Sequence, residues 1–194
     1  MSTWTDDCRQ QVENILSGDS RPFASLVDAH KRLVNHIVFK FVPCEADRED
    51  LSQEVFLKVY QNLSRFQYKS KLSTWIARIA YNSCLNFLDK RRLPLFEDTV
   101  SDDRTVDDCI AVTVNPDQWV ESRQTSIRLC EEIDKLPVRY GLILSLYHLQ
   151  EMSYVEIGAI LKLPEGTVKS YLFRARRLLR EKIKINCAQE ELCA

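Results

Sequence analysis

The sequence predicts an all-α protein with two small helical domains joined by a flexible acidic linker. Only four glycines and six prolines occur in 194 residues, and no run alternates between apolar and polar residues as a half-buried strand does. Apolar residues instead recur at the three- and four-residue spacing of one helix face. Residues 1–93 have fourteen basic and eleven acidic side chains, residues 94–124 have two and eight, and residues 125–194 have eleven and nine. Two basic blocks around an acidic spacer favour two binding modules.

Two amphipathic helices are predicted at the start of the chain. Thr5 and Asp6 are capping residues for a first helix that ends at Gly18. Arg21-Pro22 begins a longer helix whose broad apolar stripe includes His30, which we interpret as a packed core residue and not as a metal ligand. The apolar positions of the two helices are Val12, Ile15 and Leu16, then Phe23, Leu26, Val27, Leu33, Val34, Ile37, Val38 and Phe41.

A third amphipathic helix begins between Asp47 and Asp50, where acidic residues favour the helix dipole. Its inner face comprises Leu51, Val55, Phe56, Val59 and Leu63, and its outer face Asp50, Gln53, Glu54, Lys58 and Gln61. Taken alone, this outer face is interpreted as a solvated surface.

The loop of residues 65–71 interleaves aromatic rings with cations, a mixture that suits single-stranded nucleic acid. Ser73 or Thr74 then caps a fourth helix. Its inner stripe is Leu72, Trp75, Ile76, Ile79, Ala80, Ser83, Cys84, Phe87 and Leu88, and its polar row is Arg78, Asn82 and Asn86, followed by Lys90, Arg91 and Arg92. Residues 65–92 contain seven basic side chains and one acidic, which favours binding to nucleic acid.

Residues 94–116 form the predicted linker, which is acidic and has few helix signals. Pro116-Asp117 then begins a helix with Trp119, Val120, Ile127, Cys130 and Ile133 inward, and Leu136-Pro137 begins another with Val138, Leu142, Ile143 and Leu146 inward. These two helices are expected to build the core of the second domain.

A helix-turn-helix is predicted at residues 150–185. Ser153 and Glu156 form a capping box, and residues 163–166 (LPEG) end the short helix that follows. The second helix has an inner stripe of Val168, Leu172, Ala175 and Leu179. Residues 166–184 contain seven basic side chains and one acidic, and Phe173 lies on the polar face. An aromatic ring among cations on a helix of this size favours DNA binding in the major groove over an ordinary solvated surface.

These segments, in this order, resemble the extracytoplasmic-function (ECF) group of the sigma-70 family, the promoter-specificity subunits of bacterial RNA polymerase. Residues 50–56 (DLSQEVF) look like the family's D-x-x-Q-E-x-F motif, and residues 73–82 (STWIARIAYN) look like its T-W-L-x-R-I-A-x-N motif. Leu136-Pro137, residues 166–170 (GTVKS) and residues 174–176 (RAR) look like its C-terminal module. The resemblance covers nearly the whole chain.

The resemblance implies domains at residues 1–93 (region 2) and 117–186 (region 4), with a short tail at 187–194. It implies core-polymerase contacts at Asp50, Gln53, Glu54, Phe56 and Tyr60. It implies contacts with the melted −10 strand at Tyr68, Lys69, Ser70, Lys71, Trp75, Arg78, Asn82, Asn86, Lys90, Arg91 and Arg92. It implies −35 contacts at Lys169, Ser170, Phe173, Arg174, Arg176, Arg177 and Arg180. The loop departs from the family at residues 68–71 (YKSK), where a small-acidic pair is common.

The resemblance also implies a cytoplasmic transcription initiation factor for a stress, envelope or metal-response regulon, with no catalytic residue, cofactor or small-molecule substrate. Its implied partners are core RNA polymerase, promoter DNA and an anti-sigma factor, a class that is often membrane-anchored. Two alternatives remain open: a free-standing DNA-binding regulator, and a thiol or metal sensor that uses some of the seven cysteines. No signal peptide, CxxC pair or metal-ligand spacing is present, so reduced thiols are expected, with Cys187 and Cys193 in the tail as the sensing candidates.

Overall fold

Within the described parts of the chain, all regular secondary structure is helical, which confirms the predicted fold class. The computed structural model describes the backbone of residues 4–18, 21–92, 129 and 132–193, and the side chains of residues 8–18, 21–90, 129 and 132–183. The helices are α1 (Trp4–Leu16), α2 (Arg21–Phe41), α3 (Glu45–Asn62), a short 3-10 helix (Leu63–Arg65), α4 (Leu72–Arg92), α5 (Val138–His148), α6 (Tyr154–Leu161) and α7 (Glu165–Cys193). No described helix combines the length and apolar character needed to cross a bilayer.

The first unit is built on α1–α4, with α2 packed against each of the other three helices. The predicted stripe of α2 is confirmed, because Leu26, Val34 and Ile37 are fully buried. Two residues after α1, Gly18 turns the chain with a φ of 100°, a conformation that glycine adopts easily because it has no Cβ atom. His30 is half-buried, and its Nδ1 lies 2.9 Å from the Leu26 carbonyl oxygen, in keeping with a core position.

The second unit is built on α5–α7. Every residue from Gly141 to Leu146 is buried, and α7 packs against α5. Val168 and Leu172 of α7 are also buried. The predicted linker lies outside the described residues, and so does the helix predicted from Pro116 up to residue 128. Ile133, near the end of that predicted helix, is described and is buried, as predicted.

Several predicted helix ends are wrong. Thr5 and Asp6 lie inside α1, and Ser73 and Thr74 lie inside α4. The first helical hydrogen bond of α4 runs from the Trp75 N–H to the Lys71 carbonyl oxygen, at 3.1 Å. The helix therefore begins before either predicted cap. Leu16 of α1 is 53% exposed although it was predicted to face inward.

Two further boundaries differ from their predictions. Helix α3 begins at Glu45, after an N-cap at Cys44 that makes no side-chain capping bond. Helix α7 continues to Cys193, so residues 187–193 of the predicted 187–194 tail extend the helix in place of a separate segment.

Candidate nucleic-acid and protein interfaces

The outer face of α3 presents a polar surface, as predicted. Asp50, Gln53 and Glu54 are exposed, and Tyr60 is 51% exposed with its ring edge-on to Phe23 at 5.0 Å. Glu54 pairs with Lys58 one turn along the helix, at 2.7 Å. Because Glu54 is about half exposed and Lys58 one-third exposed, this pair adds only about 0.3–0.5 kcal/mol to stability and leaves Glu54 available to a partner.

Phe56 differs from the other members of the predicted polymerase-contact set, because it is buried in the free protein. Its side chain is 9% exposed and lines a groove between α2 and α3. It therefore supports the exposed face and offers little surface of its own to a partner.

The loop that follows α3 places an aromatic residue at its outer edge. Tyr68 is half-buried and has a φ of 55°, in the left-handed region, while Lys69 and Lys71 are exposed and Ser70 is half-buried. The Tyr68 ring contacts Phe66 with their centroids 4.7 Å apart, and Phe66 in turn contacts Trp75 at 5.3 Å. Trp75, a predicted contact with the −10 strand, is 9% exposed, so in the free protein its ring supports the loop from within.

The polar row of α4 is open to solvent along most of its length. Arg78, Asn86 and Lys90 are exposed and Asn82 is half-buried. The side chains of Arg91 and Arg92 lie outside the described residues. A row of amide and cationic groups next to the aromatic loop provides hydrogen-bond donors and positive charge beside a stacking platform, which is what single-stranded nucleic acid requires.

The helix-turn-helix has the predicted capping box. The Ser153 hydroxyl accepts a hydrogen bond from the Glu156 N–H at 3.3 Å, and the Glu156 carboxylate accepts one from the Ser153 N–H at 2.8 Å. Helix α6 ends at Leu161, and the left-handed backbone of its C-cap residue Lys162 (φ 57°, ψ 42°) turns the chain. Helix α7 then starts with the Thr167 and Val168 N–H groups bonded to the Pro164 carbonyl oxygen.

On the exposed face of α7, some charged side chains form ion pairs and others do not. Lys169 pairs with Glu165 at 2.7 Å, which raises the pKa of Lys169, and Arg177 pairs with Glu181 at 3.1 Å. Phe173 is 70% exposed, and Arg174 and Arg180 are exposed without an ion pair to any described residue. The Ser170 hydroxyl donates to the Gly166 carbonyl oxygen at 3.0 Å. An exposed ring next to the unpaired Arg174 guanidinium, with a second unpaired guanidinium at Arg180, is suited to base edges and phosphates.

Models of two known families match the chain on these two units. Residues 26–93 match Sigma-70 region 2, and residues 127–179 match Sigma-70, region 4. The ECF RNA polymerase sigma factor SigW of Bacillus subtilis (strain 168) is 30% identical over 180 residues, which cover 91% of this chain and 96% of SigW. The ECF RNA polymerase sigma-E factor of Escherichia coli (strain K12) is 32% identical over 177 residues, 89% of this chain and 92% of that factor. This chain is an ECF sigma factor.

Two solved structures share the fold of this sigma factor. CnrH, solved in complex with the cytosolic domain of CnrY, aligns with a TM-score of 0.62 and 22% identity over 91% of this chain and 97% of CnrH. The sigma factor RpoE of Bartonella quintana, solved with the anti-sigma factor NepR, aligns with a TM-score of 0.64 and 20% identity over 84% and 97% of the two chains.

Sequence reasoning missed Leu57 on the α3 face of the sigma factor. This side chain is 56% exposed and lies one turn beyond Gln53 and Glu54. Its position off the apolar stripe of α3 was the available signal, because an apolar residue outside the core face of an amphipathic helix is a candidate contact.

A groove between α2 and α3, of about 460 Å³, was also missed. Arg48 lines it and is 9% exposed, with its Nε donating to the Val42 carbonyl oxygen at 2.6 Å and its guanidinium 4.2 Å from the centre of the Phe39 ring. A buried arginine that packs on a ring and a backbone oxygen leaves no pattern in the sequence, because its partners are set by tertiary packing.

The second unit of the sigma factor contains an aromatic and cationic cluster that spacing alone did not reveal. The rings of Tyr147 and Tyr154 stack with centroids 5.2 Å apart and planes 8° from parallel. Arg176 donates from Nε to His148 Nε2 at 3.4 Å and lies 5.2 Å from the Tyr147 ring, and Lys169 lies 5.4 Å from the Tyr154 ring. Arg176 is thus held by α5 in the free protein.

The packing of this cluster shifts the pKa values of its own side chains. Burial, with the Arg176 charge second, lowers the pKa of His148, so the imidazole is neutral and able to accept from Arg176 at neutral pH. A hydrogen bond from Tyr154 lowers the pKa of Tyr147 and raises that of Tyr154. No group of three or more His, Cys, Asp or Glu residues is placed to hold a metal ion in the part of the chain that the structure describes.

Proposed function

We propose that this sigma factor binds core RNA polymerase through the exposed face of α3 and recognises promoters through two separate DNA surfaces. The observation that carries the proposal is that one chain combines three exposed features outside its cores. These are the polar α3 face with Leu57, the aromatic loop beside the α4 row, and the α7 face with Phe173 and Arg174. A regulator that binds only duplex DNA has use for the last of these alone.

Each surface has a chemical task under this proposal. Gln53 and Glu54 meet a basic surface of the polymerase, where charge complementarity speeds and orients docking. The loop and the Asn82 row hold the melted −10 strand, whose bases leave the stack at a cost of a few kcal/mol that stacking and hydrogen bonds offset. Arg174 reads −35 base edges, whereas Arg177 and Arg180 contact phosphates and position the module.

Arg176, also a predicted −35 contact, can bind DNA only if its side chain rearranges. In the free protein its guanidinium is bonded to His148, so it reaches a phosphate only by leaving or sharing that contact. The polymerase supplies the chemistry of RNA synthesis, so the proposal assigns this chain no catalytic residue and no cofactor. Its place of action is the cytoplasm, where polymerase and chromosome are found.

Transcription in vitro tests the proposal. Purified core polymerase and the factor are incubated with a library of genomic fragments, and the start sites are mapped. We expect defined starts that share −10 and −35 sequences and that require both components. Sequence-specific retention of duplex DNA by the factor alone, with no new starts when polymerase is added, would instead favour a free-standing regulator.

We further propose that a separate anti-sigma protein restrains this factor, since RpoE, which shares its fold, was solved in complex with the anti-sigma factor NepR. The alternative switch is the segment at 187–194 with Cys187 and Cys193. Two cysteines fall short of the four ligands of a structural zinc site, and the backbone there continues α7. Deleting residues 187–194 is expected to leave restraint in cells unchanged. Constitutive activity of the truncated factor would identify this segment as the switch.

A further inference from the structure

An unassigned arginine on the first helix contacts the aromatic loop. The guanidinium carbon of Arg9 lies 5.0 Å from the centre of the Tyr68 ring. It continues a series of contacts that runs outward from the core, from Trp75 to Phe66, from Phe66 to Tyr68, and from Tyr68 to Arg9. The series leads from the core to the surface, since Trp75 and Phe66 are both buried, Tyr68 is half-buried and Arg9 is exposed.

The position of Arg9 is set by packing of α1. Val12 and Ile15 of the same helix are 1% and 3% exposed, and the Gln11 side chain donates to the Pro22 carbonyl oxygen at 3.2 Å. Helix α1 also packs against α2 and the 3-10 helix that leads into the loop. Arg9 therefore projects toward the loop from a helix that is anchored on the core of the first unit.

Tyr68 needs such support because of its backbone. A φ of 55° is unusual for a bulky residue with a Cβ, and residues in this region persist only where the surroundings hold them. The Phe66 ring supplies one contact, and the cation supplies another. Arginine suits this place, because its planar, permanently charged guanidinium stacks on aromatic rings.

We propose that Arg9 is a positioning residue for promoter opening: it holds the Tyr68 ring in place to stack on an unpaired base of the −10 strand. The inference rests on the proposed role of the loop in binding that strand. It gives α1 a part in promoter opening, whereas the sequence alone indicated no function for this helix. A cation–ring contact at an exposed site corresponds to about a two- to fivefold change in an equilibrium constant.

A direct contact between Arg9 and a DNA phosphate is the competing explanation, and the two differ in their dependence on Tyr68. If Arg9 acts by holding the ring, its removal has no further effect once the ring is gone. If Arg9 acts on a phosphate, its removal has the same effect with or without the ring. A double-mutant cycle separates these cases.

The experiment uses the full-length factor with core polymerase on a promoter identified by start-site mapping. The variants are Arg9→Ala, Arg9→Lys, Tyr68→Ala and the double variant of Arg9→Ala with Tyr68→Ala. Arg32→Ala, at an exposed position of α2, is the control for loss of one positive charge. The readouts are the rate of permanganate reactivity at −10 thymines, the affinity for core polymerase, and the affinity for the −35 duplex.

We expect Arg9→Ala to slow opening about two- to fivefold while both affinities stay unchanged. Arg9→Lys should retain part of the rate, and Arg32→Ala should match the unmodified factor. In the Tyr68→Ala background, Arg9→Ala should have no further effect. This pattern supports the inference.

Other patterns overturn it in distinguishable ways. If Tyr68→Ala slows opening and Arg9→Ala does not, the loop keeps its proposed role and only the inference fails. If the two changes are additive, Arg9 acts directly and not through the ring. If Tyr68→Ala leaves opening unchanged, the proposed role of the loop fails and the inference fails with it. A parallel loss of polymerase affinity in Arg9→Ala would show a general structural role.

Discussion

The carbonyl oxygen of Leu163 lies 2.6 Å from the point that a Cβ atom on Gly158 would occupy. The two residues are also joined by a hydrogen bond from the Leu163 N–H to the Gly158 carbonyl oxygen, at 3.0 Å. The close approach lets the chain reverse directly after α6, so that α7 starts only four residues after α6 ends. The orientation of the α7 face that carries Phe173 and Arg174 depends on this contact.

Gly158→Ala is therefore expected to destabilise the helix-turn-helix by about 1–3 kcal/mol, the usual range for overpacking at a site that cannot yield. The obstructing atom is a backbone oxygen, so no side-chain rotation relieves the clash. Hydrogen exchange of α6 and α7 measures the effect locally, since the chain has two units and need not unfold in one step.

Gly166→Ala is the matched control, because nothing lies within 4 Å of a Cβ at that position. It lies in the first turn of α7 and is expected to be neutral or to stabilise by up to about 1 kcal/mol. Equal exchange rates in the two variants would show that the close approach at Gly158 has no energetic consequence.

Glu54→Arg is expected to weaken core-polymerase binding severely, by placing positive charge where a basic partner surface is proposed. The side chain is about half exposed, so helical content should be unchanged. Glu181→Arg is the control, because it also reverses an exposed glutamate in an i, i+4 pair but lies in the second unit. A pull-down with core polymerase in the absence of DNA measures both, and unchanged affinity in Glu54→Arg would refute the assignment of this face.

Arg174→Ala and Arg180→Ala are expected to differ in kind. If Arg174 reads a base edge, its loss costs about 1–3 kcal/mol and the cost varies with the −35 sequence. Arg180→Ala should weaken binding to all promoters alike and reduce the slope of log affinity against log salt by about 0.9, as for one phosphate contact. Titrations on two promoters at several salt concentrations test both. A sequence-neutral loss in both variants would show that α7 is not the reader.

Cys84 is expected to be inert toward alkylation in the folded protein. Its thiol is fully buried, and burial raises its pKa to about 12 despite the opposing charge of Lys58, so almost no thiolate exists at neutral pH. Cys44 is exposed and serves as the reactive comparison. Mass spectrometry after iodoacetamide treatment should find Cys44 modified and Cys84 protected until urea is added. Equal modification of both under native conditions would reopen a sensing role for Cys84.

The sequence by itself determined the helical class, most of the core and the helix-turn-helix, because these depend on spacing along one chain. The stripe from Leu26 to Phe41, the Ser153–Glu156 capping box and the inner face of α7 all involve residues three or four positions apart, where helical periodicity alone sets the geometry. The order of the motifs, through their resemblance to a known family, also indicated an ECF sigma factor.

Only the tertiary structure decided which residues of the predicted surfaces are exposed and which are buried or held by another side chain. Phe56 and Trp75 belong to family motifs, yet the packing of α3 and α4 buries both. Arg9 with Tyr68 and Arg176 with His148 are separated by 59 and 28 positions, respectively, so no local pattern reveals that they touch. The approach of Gly158 to Leu163 depends on a left-handed backbone at Lys162, a conformation that a residue with a Cβ seldom adopts and that no residue spacing reveals.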